Sequence, residues 1–403
     1  MRDSWIRLLS LSLTLLQLTS ASETSTPGSG QCKSIEVRKE WRALSKSEKK
    51  AWIKAVNCLS RSPRSGKLNP PVDTSEYSPF DFIVPISPDA SYHDELVYTH
   101  MNLNPLIHFT GLFLPFHRLY VHEWTNALRS QCGYKGVAPC GSYFLSFFDV
   151  VLISYSQIGH GSMVCIYAYS QIPDNQSHPP IDAADFEHSS IWDPDPVYGL
   201  GGFGDPNDDN IVKDGGLDIT LAYPIKHKLR RNYNPFPFIG LPGGESIPGN
   251  ATFTLSEVNG LLAQPEGNFT AFQFYLEKFI GMHSAIHAMT GGDLAGRCPR
   301  GSNSSNCPFE GAPTFSANEP LFHFHHGNVD RLWWLWQEKS RNNKFAFHGG
   351  SVQNITVIDK FPNGVEPWLK KTDIIPGAGM FKSVSINDVL DTRKPPLCYV
   401  YDH

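Results

Sequence analysis

Two groups of histidines, far apart in the chain, limit what this sequence can fold into. The first is His100, His108 and His117, in YTHMNLNPLIHFTGLFLPFHRLY. The second is His283 and His287, in GMHSAIHAM, followed by His326 in EPLFHFHHGNVDRLWWLW. Neutral imidazole binds copper, zinc, iron or nickel, and a set of six imidazoles with no thiolate and no clear carboxylate favours copper. Two three-coordinate copper ions facing each other can activate dioxygen between them. A chain that does so must bring segments from residue 100 to residue 326 into one interior.

The local patterns suit that demand. His283 and His287 stand four apart in AFQFYLEKFIGMHSAIHAM, which reads as helix, so both rings leave one face. His326 begins or precedes a helical stretch, VDRLWWLWQEKS, whose aromatic stripe anchors it in a core. His117 opens the helical run RLYVHEWTNALRS, and His108 falls in the loop before it. The expected fold is mainly α, with a four-helix-bundle core holding a dicopper site, long loops and a few short β-strands. Ser45-x-x-Glu48 reads as a capping box before an amphipathic helix ending near Cys58, and Thr254-x-x-Glu257 begins another helix. Short β-like runs fall in 345–360 and 380–400.

A lone H-x-x-x-H pair is more often ordinary packing than a metal site. This pair also lacks the glutamate of H-E-x-x-H, which argues against a zinc hydrolase. The wider context is more specific and resembles the tyrosinase, catechol oxidase and hemocyanin family of binuclear copper proteins. Its first signature, H-x(4)-F-L-P-[FW]-H-R, is matched by His108, Phe113, Leu114, Pro115, Phe116, His117 and Arg118. Its second, D-P-x-F-x-x-x-H-x(3)-D, is matched by Pro320, Phe322, His326 and Asp330. The resemblance implies that His100, His108 and His117 hold one copper and that His283, His287 and His326 hold the other. It selects His326 over His325, and leaves His93 as the alternative to His100. The match extends to VRKEWRALSKSEKKAWIKAVNCL and PLCYVYD, and the short secreted fungal type is the most similar.

The activity implied is oxidation of phenols or ortho-diphenols to ortho-quinones by dioxygen, in pigment or secondary-metabolite synthesis. The partners are then a small phenolic substrate and O2. The alternative is an oxygen-binding or catalytically impaired, hemocyanin-like relative. Family members often place Asn after the first histidine of the second group, where it and a glutamate orient a water that deprotonates phenols. That position is Ser284, and Glu277 is the candidate glutamate. Further departures are Thr125 where the pattern has Glu, Glu319 where it has Asp, and His323 where it has an apolar residue. His122 and Glu123 lie near the first group, and His122 reads as a surface or packing residue. Leu106 stands where a cysteine would form a thioether to His108, so that link is not expected.

Composition fits a secreted enzyme. Arg2 and Arg7 flank an apolar run from Leu8 to Leu18, and small residues follow, so 1–21 reads as a signal peptide. Residues 22–403 then form one copper-binding domain, interrupted at 138–181. There an apolar run from Tyr143 to Tyr155 replaces the tryptophan-rich stretch the resemblance would supply. Part of that segment reads as translated intron, or as a lineage-specific insertion. Eight cysteines without a CxxC pattern indicate disulfides, with Cys298 and Cys307 a local bridge and six the structural count. Asn175, Asn250, Asn268, Asn303 and Asn354 are glycosylation sequences. A net charge of −5 without a basic stripe excludes nucleic acid as a partner, and no segment past the leader is apolar enough for a membrane. WDPDPVYGLGGFGDPNDDN reads as a long surface loop and not a nucleotide site.

Overall fold

A computed structural model of the chain describes residues 31–72, 83, 85–141, 151–152, 167–168, 185–307 and 313–402. The leader at 1–21, Cys165, Asn175 and all of 138–181 except 138–141 and the backbone of two residue pairs lie outside the described residues.

Helices dominate, and four of them begin where a polar side chain accepts a free amide of the first turn. Helix α1 (Lys46–Leu59) opens on the expected capping box, with Ser45 Oγ accepting the Glu48 amide and the Glu48 carboxylate accepting the Ser45 amide. Helix α2 (Tyr92–Ile107) repeats the device with Ser91 and Asp94. Helix α3 (Phe113–Cys132) ends on Gly133 at φ 65°, the left-handed stop that glycine adopts without steric cost. Helix α4 (Leu255–Leu262) starts on Thr254, whose hydroxyl accepts the Glu257 amide. Helix α5 (Phe269–Glu277) starts on Asn268. Helices α6 (Met282–Thr290) and α7 (Leu321–Glu338) complete the set around the site.

Three boundaries differ from the sequence reading. The segment read as one helix is two, α5 and α6, because the chain turns extended at Lys278 (φ −50°, ψ 151°). A Cβ at Gly281 would come 2.7 Å from the Lys278 carbonyl oxygen, so that turn needs a residue without one. Helix α3 begins at Phe113, which puts His117 in its second turn and not at its start. Helix α7 begins at Leu321, which likewise encloses His326.

The core is built on α3 and α7. Trp41 and Trp52 meet Phe324 of α7 edge-on at 5.0 and 4.7 Å, and Trp52 lies 5.9 Å from Trp124 of α3, so α1 closes one flank. Beneath the histidines a buried ion pair joins the two helices. Arg118 Nε donates to Asp330 Oδ1 at 2.5 Å, and the guanidinium lies 3.6 Å from the centre of the Trp333 ring. Asp330 Oδ2 accepts the hydroxyls of Tyr399 and Tyr401. Those tyrosines lie on strand Tyr399–Tyr401, which pairs in parallel with Glu36–Arg38, and Cys32–Cys398 fastens the same corner. The other sheets among the described residues are short antiparallel pairs.

Cys58–Cys132 ties α1 to α3, and Cys298–Cys307 is the local bridge the spacing suggested. Cys140 is a buried free thiol, and burial pushes its pKa up to about 12. The 192–210 run is irregular, as expected, yet partly interior: Leu200 is buried and its carbonyl accepts from Arg231. Among the described residues, no helix is long and apolar enough to cross a membrane.

Candidate metal centre

Four helices deliver the histidines. His100 sits within α2, and His108 ends that helix in extended conformation (φ −119°, ψ 139°), just past Pro105. His117 lies on α3, His283 and His287 on α6, and His325 and His326 on α7. Among the described residues, two groups have nitrogens close enough to share an ion. One is His100, His108 and His117; the other is His283, His287, His325 and His326, with ligand atoms within 4.8 Å of one another. Both groups are imidazole alone. His93 does not join the first: it is buried, with Nε2 3.2 Å from the Asn318 carbonyl oxygen.

The two groups share one interior. His117 and His326 stack with ring centres 4.2 Å apart and planes 12° from parallel. Phe322 and Phe113 fill the space around them, Phe322 at 4.1 Å from His326 and Phe113 at 4.9 Å from both His117 and His283.

Hydrogen bonds fix which nitrogen faces inward. Nδ1 of His117 donates to the Phe113 carbonyl at 2.7 Å, Nδ1 of His287 to the Leu294 carbonyl at 2.9 Å, and Nδ1 of His108 to the Asn104 carbonyl at 3.2 Å. With the proton held there, Nε2 of each ring offers a lone pair, the tautomer a metal ligand needs. Nε2 of His117 lies 3.3 Å from Nε2 of His100, and Nε2 of His287 lies 3.4 Å from Nε2 of His326. Either a ring N–H or a cation bridges nitrogens packed this closely. His283 Nε2 is buried with no hydrogen-bond partner among the described residues. Burial pushes His108 and His287 down to about 4, and His117, His283 and His326 well below the usual imidazole range, so the rings are neutral at pH 7. Neutral, converging, partly orphaned imidazoles fit copper, zinc, iron or nickel.

Glu277 and Ser284 occupy two turns beside the histidines. Glu277 is buried. Its Oε1 accepts the Phe109 amide at 2.6 Å and its Oε2 accepts from Gln273 at 3.2 Å, while burial holds its carboxyl well above the usual range. Ser284 Oγ donates to the Phe279 carbonyl at 2.5 Å and accepts the Gly281 amide at 3.3 Å. No hydrogen bond between Glu277 and Ser284 occurs among the described residues.

The departures from the family pattern have local explanations. Glu319 forms a two-pronged ion pair with Arg231 at 2.8 and 3.0 Å, both side chains fully buried, and also accepts the Leu321 amide at 3.2 Å. Thr125 turns its hydroxyl back to the Val121 carbonyl at 3.0 Å. Glu123 lines a cavity of about 490 Å³ together with Lys67, His122 and Lys382. His122 is buried against Tyr399 and held down to about 3, mainly by burial, so it is a packing residue and not a surface one. His323 stacks on Trp124 at 3.7 Å. Phe109, Gln273 and Gln353 had no motif to mark them, and their contacts with the His108 turn appear only in three dimensions.

The chain is 27% identical over 402 residues to the tyrosinase-like protein phomQ1 of Diaporthe leptostromiformis, covering 94% of this chain and 80% of that protein. It is 26% identical over 403 residues to the N-acetyl-6-hydroxytryptophan oxidase ivoB of Emericella nidulans, covering 92% and 94%. Its fold is similar to that of a polyphenol oxidase from Thermothelomyces thermophila, with a TM-score of 0.57, 21% identity and coverage of 92% and 89%. The common central domain of tyrosinase matches residues 90–339, a span that holds both histidine groups, and the chain belongs to the tyrosinase family.

Proposed function

We propose that the chain is a copper-dependent oxidase that converts phenols or ortho-diphenols to ortho-quinones with dioxygen. The observation that carries this reading is the stacked pair of His117 and His326, which joins two all-imidazole groups in one buried space. His100, His108 and His117 would hold one copper, and His283, His287 and His326 the other. His326 is favoured over His325 because its Nε2 meets that of His287 and its ring faces the first group. Bound copper would supply the redox couple that passes electrons from two diphenols to one O2, giving two quinones and two waters.

The protein's own part is geometric. The carbonyls of Phe113, Leu294 and Asn104 keep three rings in the ligating tautomer, and Phe113 and Phe322 exclude water around them. The likeness to an oxidase of a hydroxylated tryptophan supports a hydroxylated aromatic substrate, in pigment or secondary-metabolite synthesis. Three disulfides support an oxidising, secretory address, with residues 22–403 as a single domain.

The test is quinone formation from a simple catechol by the copper-loaded protein and by His287→Ala. Oxidation by the parent that disappears in the variant supports the assignment. Retained oxidation in His287→Ala would mean that the second group is misassigned.

A further inference from the structure

Glu277 ends α5 on the side of the second histidine group, yet its carboxylate serves the first. Its Oε1 accepts the amide of Phe109, the residue after His108. Phe109 is held at φ 51°, a left-handed conformation that a bulky side chain rarely adopts. Two more side chains grip the same turn. Gln273 Nε2 donates to the Thr110 carbonyl at 2.8 Å, and Gln353 Nε2 donates to the His108 carbonyl at 3.0 Å. One backbone group on each of three consecutive residues, His108 to Thr110, is therefore held by a side chain more than 160 positions away.

The turn between α5 and α6 is fixed just as firmly. Ser284, directly after His283, bonds back to the Phe279 carbonyl and the Gly281 amide. The Phe279 ring then lies 4.8 Å from the Phe109 ring, closing one turn on the other.

We propose that Glu277 is a positioning residue for His108, and that the 108–110 and 278–281 turns form a clasp coupling the first histidine group to the helices that carry the second. Without the Glu277 acceptor the Phe109 amide loses its partner in a partly buried turn. The turn then relaxes to negative φ and carries His108 away from His100 and His117. This inference rests on reading His100, His108 and His117 as a metal group. It assigns Glu277 a role other than orienting a water for phenol deprotonation, because that role would leave metal content unchanged.

The test is copper titration in a His287→Ala background, where only the first group remains intact, together with the thermal midpoint of the copper-free chain. Glu277→Gln keeps an acceptor and should bind copper as the parent does. Glu277→Leu lacks one and should bind about 10- to 100-fold more weakly, with a lower midpoint. Adding Phe109→Gly to Glu277→Leu should recover part of both losses, because glycine holds positive φ without support. Phe109→Val, which leaves Glu277 in place but disfavours positive φ, should also weaken binding. Parental affinity in Glu277→Leu or Phe109→Val, or equal loss in Gln and Leu variants, would overturn the clasp. A parent chain that binds no copper would instead refute the dicopper reading, while the copper-free midpoints would still report on the clasp.

Discussion

His117 and His326 stack face to face, 4.2 Å apart and 12° from parallel, although one belongs to each histidine group. Each sits in the second turn of its helix, and an ion pair at 2.5 Å between Arg118, the residue after His117, and Asp330, one turn past His326, locks those helices together. The spacing between the groups is therefore set by α3 packing on α7, not by flexible loops.

His325 and His326 offer a direct discrimination. His325 stacks on His283 at 5.2 Å, whereas His326 stacks on His117 of the first group at 4.2 Å. His326→Ala should lose about one of about two copper ions per chain and all oxidation of catechol, while His325→Ala should keep both ions. Metal analysis of the two purified variants decides this, and the reverse pattern would move the ligand to His325.

Asp330 is the anchor of the C-terminal corner as well as of Arg118. It accepts from Arg118, Tyr399 and Tyr401, with Arg38 also 3.6 Å away. Asp330→Asn leaves the buried Arg118 guanidinium without its counter-charge and Arg38 with Glu36 alone, and should cost about 3–5 kcal/mol. The shift in urea midpoint reads this, and a loss below about 1 kcal/mol would contradict the anchor role.

Acid should destabilise the copper-free chain in a defined window. Unfolded histidine titrates near about 6.5, whereas burial holds His108 and His287 down to about 4 and His122 to about 3. Below about 6.5 the unfolded state takes up protons that the folded state refuses, so stability falls as pH drops toward about 4. Each ring adds a slope of up to about 1.4 kcal/mol per pH unit. Urea unfolding at pH 7 and at pH 5 should show the lower midpoint at pH 5, and equal midpoints would refute the neutral, buried state of these rings. Bound copper should move the loss to lower pH, because protons must then compete with the metal.

How much of this was legible in the sequence follows from where the information sits. The two histidine groups were readable because their spacing and flanking residues are local, although the structure adds His325 to the second. The same holds for the Ser45–Glu48 cap and the Cys298–Cys307 bridge. The break between α5 and α6 was not, because apolar residues continue across Lys278 to Gly281 as in an unbroken helix, and only Gly281 hinted at a turn. Glu277 beside Lys278 looks like a solvated pair, whereas it is buried because its partner, the Phe109 amide, is 168 positions away. Glu319 looked like a weakened motif. The longer side chain instead reaches Arg231, a pairing that no local pattern announces.

The most direct test of the dicopper oxidase reading is oxygen consumption by the copper-loaded protein given a simple catechol, with and without a copper chelator. The account predicts about two copper ions per chain and oxygen uptake that chelation abolishes. Full copper loading with no oxygen uptake would contradict it and leave an oxygen-binding or inactive relative of the same fold.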